Sequence, residues 1–283
     1  MLWHQLYDSG SFYGRRGVFV MALSGIDNAL WDIAGKYSGK PVYQMLGGDP
    51  KARITAYKSG SDVSEALSLG FRHVKVKPPA NIRDGRAGMR RNLEYFSEVR
   101  SALAPDSLLM TDCLSTWNDV AYVIEMARML EPANSNWIEE PLLPDNLQGY
   151  ARLVREVKST AIASGEHEYT QYGFAELLRH QAVGVVQPDV SWSGGVTALI
   201  RIARMAADHL LPFIPHRGGS LFGLPSALNA PHCTIAESFG TGDNGTDLMT
   251  AMTAPFRDGF YSPSEKPGFG TELTIDLVKN HIL

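Results

Sequence analysis

Short apolar runs rich in β-branched residues alternate with stretches of helical periodicity along most of the chain. Eight such runs follow one another from Arg53 onward: RITAY, HVKVK, LLMTD, NWIEE, AIASGE, GVVQPD, LPFIPH and CTIAE. Between two of them, behind an Asn118–Asp119 cap, apolar residues recur at helical spacing: Val120, Val123, Ile124, Ala127 and Leu130. Eight strand–helix alternations predict an α/β fold whose parallel strands close into a (β/α)8-type TIM barrel.

Two segments lie outside this alternation. Near the N-terminus, Ile26, Leu30 and Ile33 recur at helical spacing and glycines follow them, which indicates a helical lead-in. The end of the chain is rich in Gly, Pro, Thr and Asp and has no strong period, which indicates an irregular tail packing back over the barrel. The predicted organisation is a helical lead-in at 1–52, a catalytic barrel at 53–240 and a tail at 241–283.

Composition narrows the function classes. The 283 residues carry a formal net charge of −4, with 44% hydrophobic and 20% charged residues. These proportions are typical of a folded globular protein, and without a large Lys/Arg cluster we expect no nucleic-acid binding. We expect neither a secretory leader nor a membrane span, because no run of about 18 apolar residues is present. Cys113 and Cys233 are too few for a disulfide framework, so we expect a cytoplasmic protein. Because the sequence has no large basic cluster, we expect a small-molecule partner.

The ends of the predicted strands are conspicuously acidic. The residues at these ends are Asp112, Glu139, Glu140, Glu166, Asp189, His216 and Glu237, each about one βα unit from the next strand end. Because the carboxyl ends of barrel strands meet at one mouth, these side chains are expected to converge. Converging carboxylates repel one another unless they are protonated or bind a hard cation. Asp112, Glu139 and Glu166 offer three oxygen ligands, a set suited to Mg²⁺.

Basic residues complete the predicted site. Asp189 and His216 end neighbouring strands, so the carboxylate is placed to orient the imidazole as a general base. Lys75 and Lys77 are two residues apart on one strand and therefore project to the same side. Projection into the barrel is favoured, since a charged pair facing the helices would be costly. One lysine could then depress the other's pKa, or merely pair with a neighbouring carboxylate.

The sequence resembles the enolase superfamily, in particular its mandelate racemase-type branch, and within it the L-rhamnonate dehydratases most closely. The resemblance spans nearly the whole chain and is carried by GIDNALWDIAGK, GKPVYQMLGG, MTDC, NWIEEPLLP, SGEHEYT, QPDVSWSGG, IPHRGGS and KPGFGTEL. It implies a Mg²⁺-dependent lyase that removes the C2 proton of an aldonate and eliminates the 3-hydroxyl, giving a 2-keto-3-deoxy acid. It also implies a homo-oligomer.

The same resemblance assigns roles to residues. It implies Asp112, Glu139 and Glu166 as Mg²⁺ ligands, Asp189 and His216 as the base dyad, and Glu237 as a hydrogen-bond donor to the enolate. His167 follows a ligand directly and would lie near the substrate, although strand alternation leaves open whether its side chain faces it. We also expect Lys75 and Lys77 as catalytic residues, and Lys75 and His167 as substrate-binding residues.

Two departures from the family pattern keep alternatives open. Lys77 stands where the rhamnonate dehydratases carry a non-basic residue, and it resembles the catalytic lysine of racemases. The first alternative is therefore an epimerase, or another acid-sugar dehydratase, that uses Lys77 and His216. The capping sheet that precedes the helices in the family is not in this sequence, so we interpret 1–52 as a helical remnant of the N-terminal capping domain. Because that cap closes the mouth and contacts substrate, we expect weak or absent turnover. A noncatalytic barrel is the second alternative.

Overall fold

The computed structural model describes residues 2–49, 52–240, 252–272 and 279. Within these ranges the strands are β1 Ile54–Ser59, β2 His73–Val76, β3 Leu109–Asp112, β4 Ser135–Glu139, β5 Ala161–Ser164, β6 Val185–Val186, β7 Ile235–Ser238, β8 Phe256–Arg257 and β9 Phe260–Tyr261. The helices are α1 Leu2–Gly10, α2 Val18–Ser38, α3 Val42–Met45, α4 Val63–Ser68, α5 Gly85–Ala102, α6 Val120–Met129, α7 Leu147–Glu156, α8 Thr170–Arg179, α9 Gly195–Asp208 and α10 Leu224–Asn229. Two 3₁₀ turns lie at Ile82–Asp84 and Glu131–Ala133.

The strands close into a barrel of parallel pairings, which confirms the predicted fold class. β1 pairs with β2 on one side and with β7 on the other, and the ladder continues from β2 to β6. The seventh predicted run forms no strand, and instead Phe213 and His216 make single parallel bridges to the sixth run. Pro212 and Pro215 lack a backbone N–H, so a continuous ladder cannot form there.

Helices cover the outside of the barrel as the hydrophobic pattern predicts. In α6, Val123, Ile124 and Ala127 are buried against the sheet. The predicted cap is confirmed, because the side chain of Asp119 accepts a hydrogen bond from the backbone N–H of Tyr122 at 2.8 Å. Burial of one apolar stripe per helix therefore produces the layered core expected of alternating strands and helices.

The barrel interior holds a separate apolar layer below the mouth. It consists of Tyr57, Met110, Trp137, Ala163, Val185, Ile214 and Ile235. Side chains two residues apart on a strand share a face, so the residue two positions after each of these also points into the barrel. Three of those next positions are Asp112, Glu139 and Glu237, and a fourth is His216. The dry layer is thus the floor of a polar mouth.

The N-terminal helices pack on the barrel through a face that carries both apolar and polar residues. The helix predicted around Ile26 and Ile33 is confirmed as α2, but both isoleucines are exposed. Its buried residues are Val20, Leu23, Ser24, Asp27, Asn28 and Gly35. The carboxylate of Asp27 accepts hydrogen bonds from the backbone N–H and the hydroxyl of Thr197, at 2.9 and 2.7 Å. Asp27 thus satisfies a free N–H group at the start of α9, which explains why a carboxylate is part of the buried face.

α2 is also the helix that tests the expectation of no membrane span. Its 21 residues have a mean hydropathy of 1.2 over the most apolar window, enough by length and composition to cross a bilayer. Core helices of globular proteins pass the same test. α2 contains Asp27 and Asp32 and binds the start of α9 through hydrogen bonds, so in this structure it belongs to the barrel assembly.

The described part of the tail returns to the N-terminal helices. β8 and β9 form an antiparallel pair that extends the sheet beside β1. Phe269 is buried against Phe222, with ring centroids 4.9 Å apart, and its N–H donates to Asp32 of α2 at 2.9 Å. The remainder of the predicted tail, 241–251, 273–278 and 280–283, lies outside the described residues. Cys113 and Cys233 are free thiols.

Candidate active site

Carboxylates from β3, β4 and β7 meet at the mouth around a buried lysine of β2. β3 ends in Asp112 and β4 in Glu139, and the two residues are direct partners across the pair. The Lys75 ammonium of β2 forms an ion pair with Glu139, lies 2.7 Å from Glu237 of β7 and 3.6 Å from Asp112. Lys75 is only 2% exposed, so its predicted projection into the barrel is observed. One cation therefore neutralises part of a buried acidic ring.

Burial and mutual repulsion shift the pKa values of these groups. Burial raises the pKa of Glu139 to about 8, although the charge of Lys75 opposes this shift. Burial also raises the pKa of Glu166. For Lys75 burial acts to lower the pKa, but the charges of Glu139 and Glu237 outweigh it, and the pKa lies well above its usual value. Burial thus disfavours the charged forms of Glu139 and Glu166, whereas Lys75 keeps its positive charge.

Asp189 and His216, the two residues predicted as a base dyad, are in contact. His216 Nδ1 lies 2.6 Å from Asp189 Oδ2, and Asp189 is buried. The other imidazole nitrogen, Nε2, lies 3.5 Å from Glu166 and 3.8 Å from Glu237. Burial lowers the pKa of His216, but the charge of Glu237, the hydrogen bond to Asp189 and the charge of Glu166 raise it to about 9. Nδ1 is therefore held by a carboxylate while Nε2 faces the acidic mouth.

Glu237 is tied into the mouth by several donors. Its carboxylate accepts hydrogen bonds from the Ser59 hydroxyl at 2.5 Å and from the backbone N–H of Arg217 at 2.8 Å. Burial acts to raise its pKa, but the charges of Lys75 and His216 lower it to about 2. Glu237 is consequently ionised in this arrangement. To donate a hydrogen bond to an enolate, it must gain a proton when a ligand brings further charge into the mouth.

A second histidine–carboxylate pair flanks Glu166. His167 Nδ1 lies 2.6 Å from Glu140 Oε2 and 3.4 Å from Glu166 Oε1. The hydrogen bond to buried Glu140 raises the pKa of His167, although partial burial opposes it. The His167 ring stands edge-on to Trp192, with centroids 5.1 Å apart. The side chain of His167 therefore reaches the site, which strand alternation had left open.

The sequence assigned no role to Glu140, or to Trp192 and Phe239, the aromatic residues beside the two histidines. Glu140 has a φ of 37°, in the left-handed region, so strand alternation ends there and consecutive glutamates both reach site residues. A signal did exist: the pairs Glu140–His167 and Asp189–His216 are each separated by 27 residues. No signal marked Phe239, which is 43% exposed beside the His216 ring.

Lys77 lies apart from these groups. β2 ends at Val76, and Lys77 is exposed just beyond it. It makes no hydrogen bond or ion pair with the part of the chain that the structure describes. The two lysines that share a side in an extended strand thus differ here: Lys75 is buried among carboxylates, and Lys77 faces solvent before the Pro78–Pro79 pair.

The donor set fits a hard divalent cation. Asp112, Glu139 and Glu166 present carboxylate oxygens at one mouth, and burial is the main cause of the raised pKa values of Glu139 and Glu166. Among the described residues, one group of three has ligand atoms within 4.8 Å of one another: Glu140, Glu166 and His167. The oxygens of Asp112 and Glu139 do not join that group, since they lie around Lys75.

The barrel, its helical lead-in and this mouth define an enolase-type enzyme. Residues 59–277 match the enolase C-terminal domain-like family, and residues 3–47 match the mandelate racemase / muconate lactonizing enzyme N-terminal domain. The chain belongs to the mandelate racemase / muconate lactonizing enzyme family of the enolase superfamily.

Within the family, the chain is similar to L-rhamnonate dehydratases, which are hydro-lyases. It is 38% identical to a provisionally named L-rhamnonate dehydratase from Caldivirga maquilingensis, over 98% of this chain and 70% of the relative. It is 32% identical to the L-rhamnonate dehydratase of Saccharopolyspora erythraea, over 98% of this chain and 72% of that one. A crystal structure of L-rhamnonate dehydratase from Gibberella zeae superimposes with a TM-score of 0.88 at 33% identity, covering 99% of this chain and 73% of that chain.

Proposed function

We propose that this chain is a Mg²⁺-dependent acid-sugar dehydratase whose substrate is an aldonate of the L-rhamnonate type. The observation that carries the proposal is the Asp189–His216 dyad, joined at 2.6 Å, beside carboxylates from adjacent strands. The similarity to L-rhamnonate dehydratases supports the substrate class, and the enzyme from Gibberella zeae has been crystallised with Mg. Asp112, Glu139 and Glu166 are the residues that would hold the cation.

The chemistry asked of the site is removal of a weakly acidic proton. A proton next to a carboxylate leaves with difficulty because two negative charges then share one small group, so charge stabilisation dominates the barrier. Mg²⁺, when bound, supplies positive charge to the substrate carboxylate and so acidifies the C2 proton. In this chain Lys75 adds a fixed ammonium at the base of the mouth, within reach of Glu139 and Glu237.

His216 is the group placed to move protons. Its Nε2 faces the mouth, while its Nδ1–H donates to Asp189. Because the pKa of His216 is raised to about 9 in the metal-free chain, His216 must lose its Nε2 proton before the imidazole can accept the C2 proton there. The C2–H pair of electrons forms the C2–C3 double bond, and the 3-hydroxyl leaves with the proton returned by His216, as water. The resulting enol tautomerises to the 2-keto-3-deoxy acid.

The test is an activity screen on the purified chain. Aldonates and aldarates are incubated with Mg²⁺ or with EDTA, and 2-keto-3-deoxy acids and C2 deuterium exchange in D₂O are measured. We expect metal-dependent product from L-rhamnonate or a near relative, and its loss in His216→Asn. His180→Asn is the matched control, since His180 is exposed at the end of α8.

Other outcomes identify the alternatives. Deuterium exchange at C2 without elimination, lost in Lys77→Ala, would replace the dehydratase with an epimerase. Mg²⁺ binding without exchange or product across the panel would leave a noncatalytic barrel and refute the proposed activity.

A further inference from the structure

The buried carboxylate of Glu139 is fixed from behind by two neutral donors. Its Oε2 accepts hydrogen bonds from Trp137 Nε1 at 2.8 Å and from Gln187 Nε2 at 2.7 Å. Its Oε1 is the oxygen paired with Lys75. Glu139 and Gln187 are both 1% exposed. One oxygen is therefore held by two neutral donors, and the other by the Lys75 ammonium.

Gln187 makes this contact at a cost. Its own carbonyl oxygen, Oε1, is buried and has no hydrogen-bond partner among the described residues. A buried unpaired carbonyl costs about 1–3 kcal/mol relative to a solvated one. An apolar side chain of similar size would avoid that cost, so the stability of the fold alone does not account for an amide at this position.

Trp137 combines two roles that can be separated. Its ring packs in the dry layer against Tyr57, with centroids 5.7 Å apart and the planes nearly perpendicular. Its N–H is the part that contacts Glu139. Replacement by Phe keeps an aromatic ring and removes the N–H donor. If Trp137 only packed in the core, that substitution would change the site little.

We propose that Trp137 and Gln187 are positioning residues for the metal, which act by holding Glu139 Oε2 so that Oε1 is presented to the cation. The inference rests on the proposed function, because it takes Glu139 as a Mg²⁺ ligand. A free carboxylate can rotate and offer either oxygen, but with two donors on Oε2 that rotation would break two buried hydrogen bonds. Groups that orient a ligand in this way typically change metal affinity 10- to 100-fold when they are lost.

The test measures metal binding directly, without turnover. Isothermal titration calorimetry with MgCl₂ alone is performed on the EDTA-stripped full chain and on Trp137→Phe and Gln187→Met. We expect the Mg²⁺ Kd to rise about 10- to 100-fold in each variant. Thermal melting of the metal-free proteins checks the fold.

Two substitutions of the same chemistry serve as controls. Trp117→Phe removes an indole N–H from a fully buried tryptophan whose partner is the carbonyl of Ala80, at 3.3 Å. Gln171→Met removes a buried amide in α8 whose Oε1 is likewise unpaired within the described ranges. Both controls should bind Mg²⁺ as the unsubstituted chain does.

The outcomes separate this inference from the proposed function. Mg²⁺ affinities within twofold of the unsubstituted chain in both variants overturn the positioning role and leave the proposed function standing. A shift in one variant alone overturns the role of the other residue. Absence of Mg²⁺ binding by the unsubstituted chain overturns the inference together with the proposed metal site. If Gln187→Met does not fold, Trp137→Phe decides, because it preserves the ring.

Discussion

Asp189→Asn is the substitution that most directly tests the proposed base. Asp189 is buried and uses both oxygens: Oδ1 accepts the backbone N–H of Ser191, and Oδ2 pairs with His216 Nδ1, both at 2.6 Å. An asparagine has one acceptor oxygen and one amide donor group in their place. If its oxygen stays with Ser191, its NH₂ faces His216 Nδ1, which must then become the acceptor.

The consequence is the wrong tautomer of His216. With Nδ1 accepting, the ring proton sits on Nε2, which then cannot take the C2 proton. In the Ser-His-Asp triad the equivalent Asp→Asn change lowers kcat about 10⁴-fold, or about 5 kcal/mol in activation free energy. We expect a loss of that order for Asp189→Asn, in product formation and in C2 deuterium exchange.

The assay follows C2 deuterium exchange by NMR, with Mg²⁺ at saturation. Asp27→Asn is the matched control: Asp27 is also a buried aspartate with two donors, but it binds the start of α9. We expect that control to lower stability while leaving the exchange rate per folded molecule unchanged. An Asp189→Asn variant that exchanges at the unsubstituted rate would refute the assignment of His216 as the base.

Three further results are expected. Lys75→Met should lower the unfolding free energy of the metal-free chain by about 3–5 kcal/mol, measured in urea, because it removes the cation that helps to hold buried Glu237 ionised. A smaller loss would mean that Glu237 takes up a proton in the variant. Lys77→Ala should change dehydration less than threefold, about 0.7 kcal/mol, since Lys77 is exposed; a large loss in kinetic assays would favour the epimerase. The raised pKa of His216 contributes stability that is complete below about 6.5 and disappears as pH rises through about 9. The EDTA-treated chain should therefore lose up to about 3 kcal/mol of unfolding free energy over that window, less in His216→Asn, and a flat profile would contradict this pKa.

The period of two along each strand is what made the site predictable. Met110, Trp137 and Ile235 form the barrel floor, and two positions further on the same files are Asp112, Glu139 and Glu237. An apolar inward position therefore locates the polar one above it. The strand ends could be found from sequence because the fold fixes which alternate residues of each strand point inward and which end of the barrel carries the mouth.

Contacts between distant segments could not be predicted in this way. The Pro78–Pro79 pair indicates that the strand can end before Lys77, but only the structure, in which β2 ends at Val76, shows Lys75 buried and Lys77 exposed. The buried face of α2 was also hidden. The spacing of Ile26, Leu30 and Ile33 predicted a helix but not its buried face, on which Asp27 supplies an acceptor to a free N–H group at the start of α9.

The position of Lys75 also bears on how the site exists before a cation arrives. Carboxylates cannot be buried above a dry apolar layer without compensation, since isolated charges there carry a large desolvation penalty. Lys75 contacts Glu139, Glu237 and Asp112 from the floor side and so offsets part of that penalty within the chain itself. Glu166 is not among its ion-pair partners, and its nearest cationic neighbours are the two histidines. Part of the ring is thus neutralised by folding and part is left for a ligand, which is the charge distribution that a preorganised metal site requires.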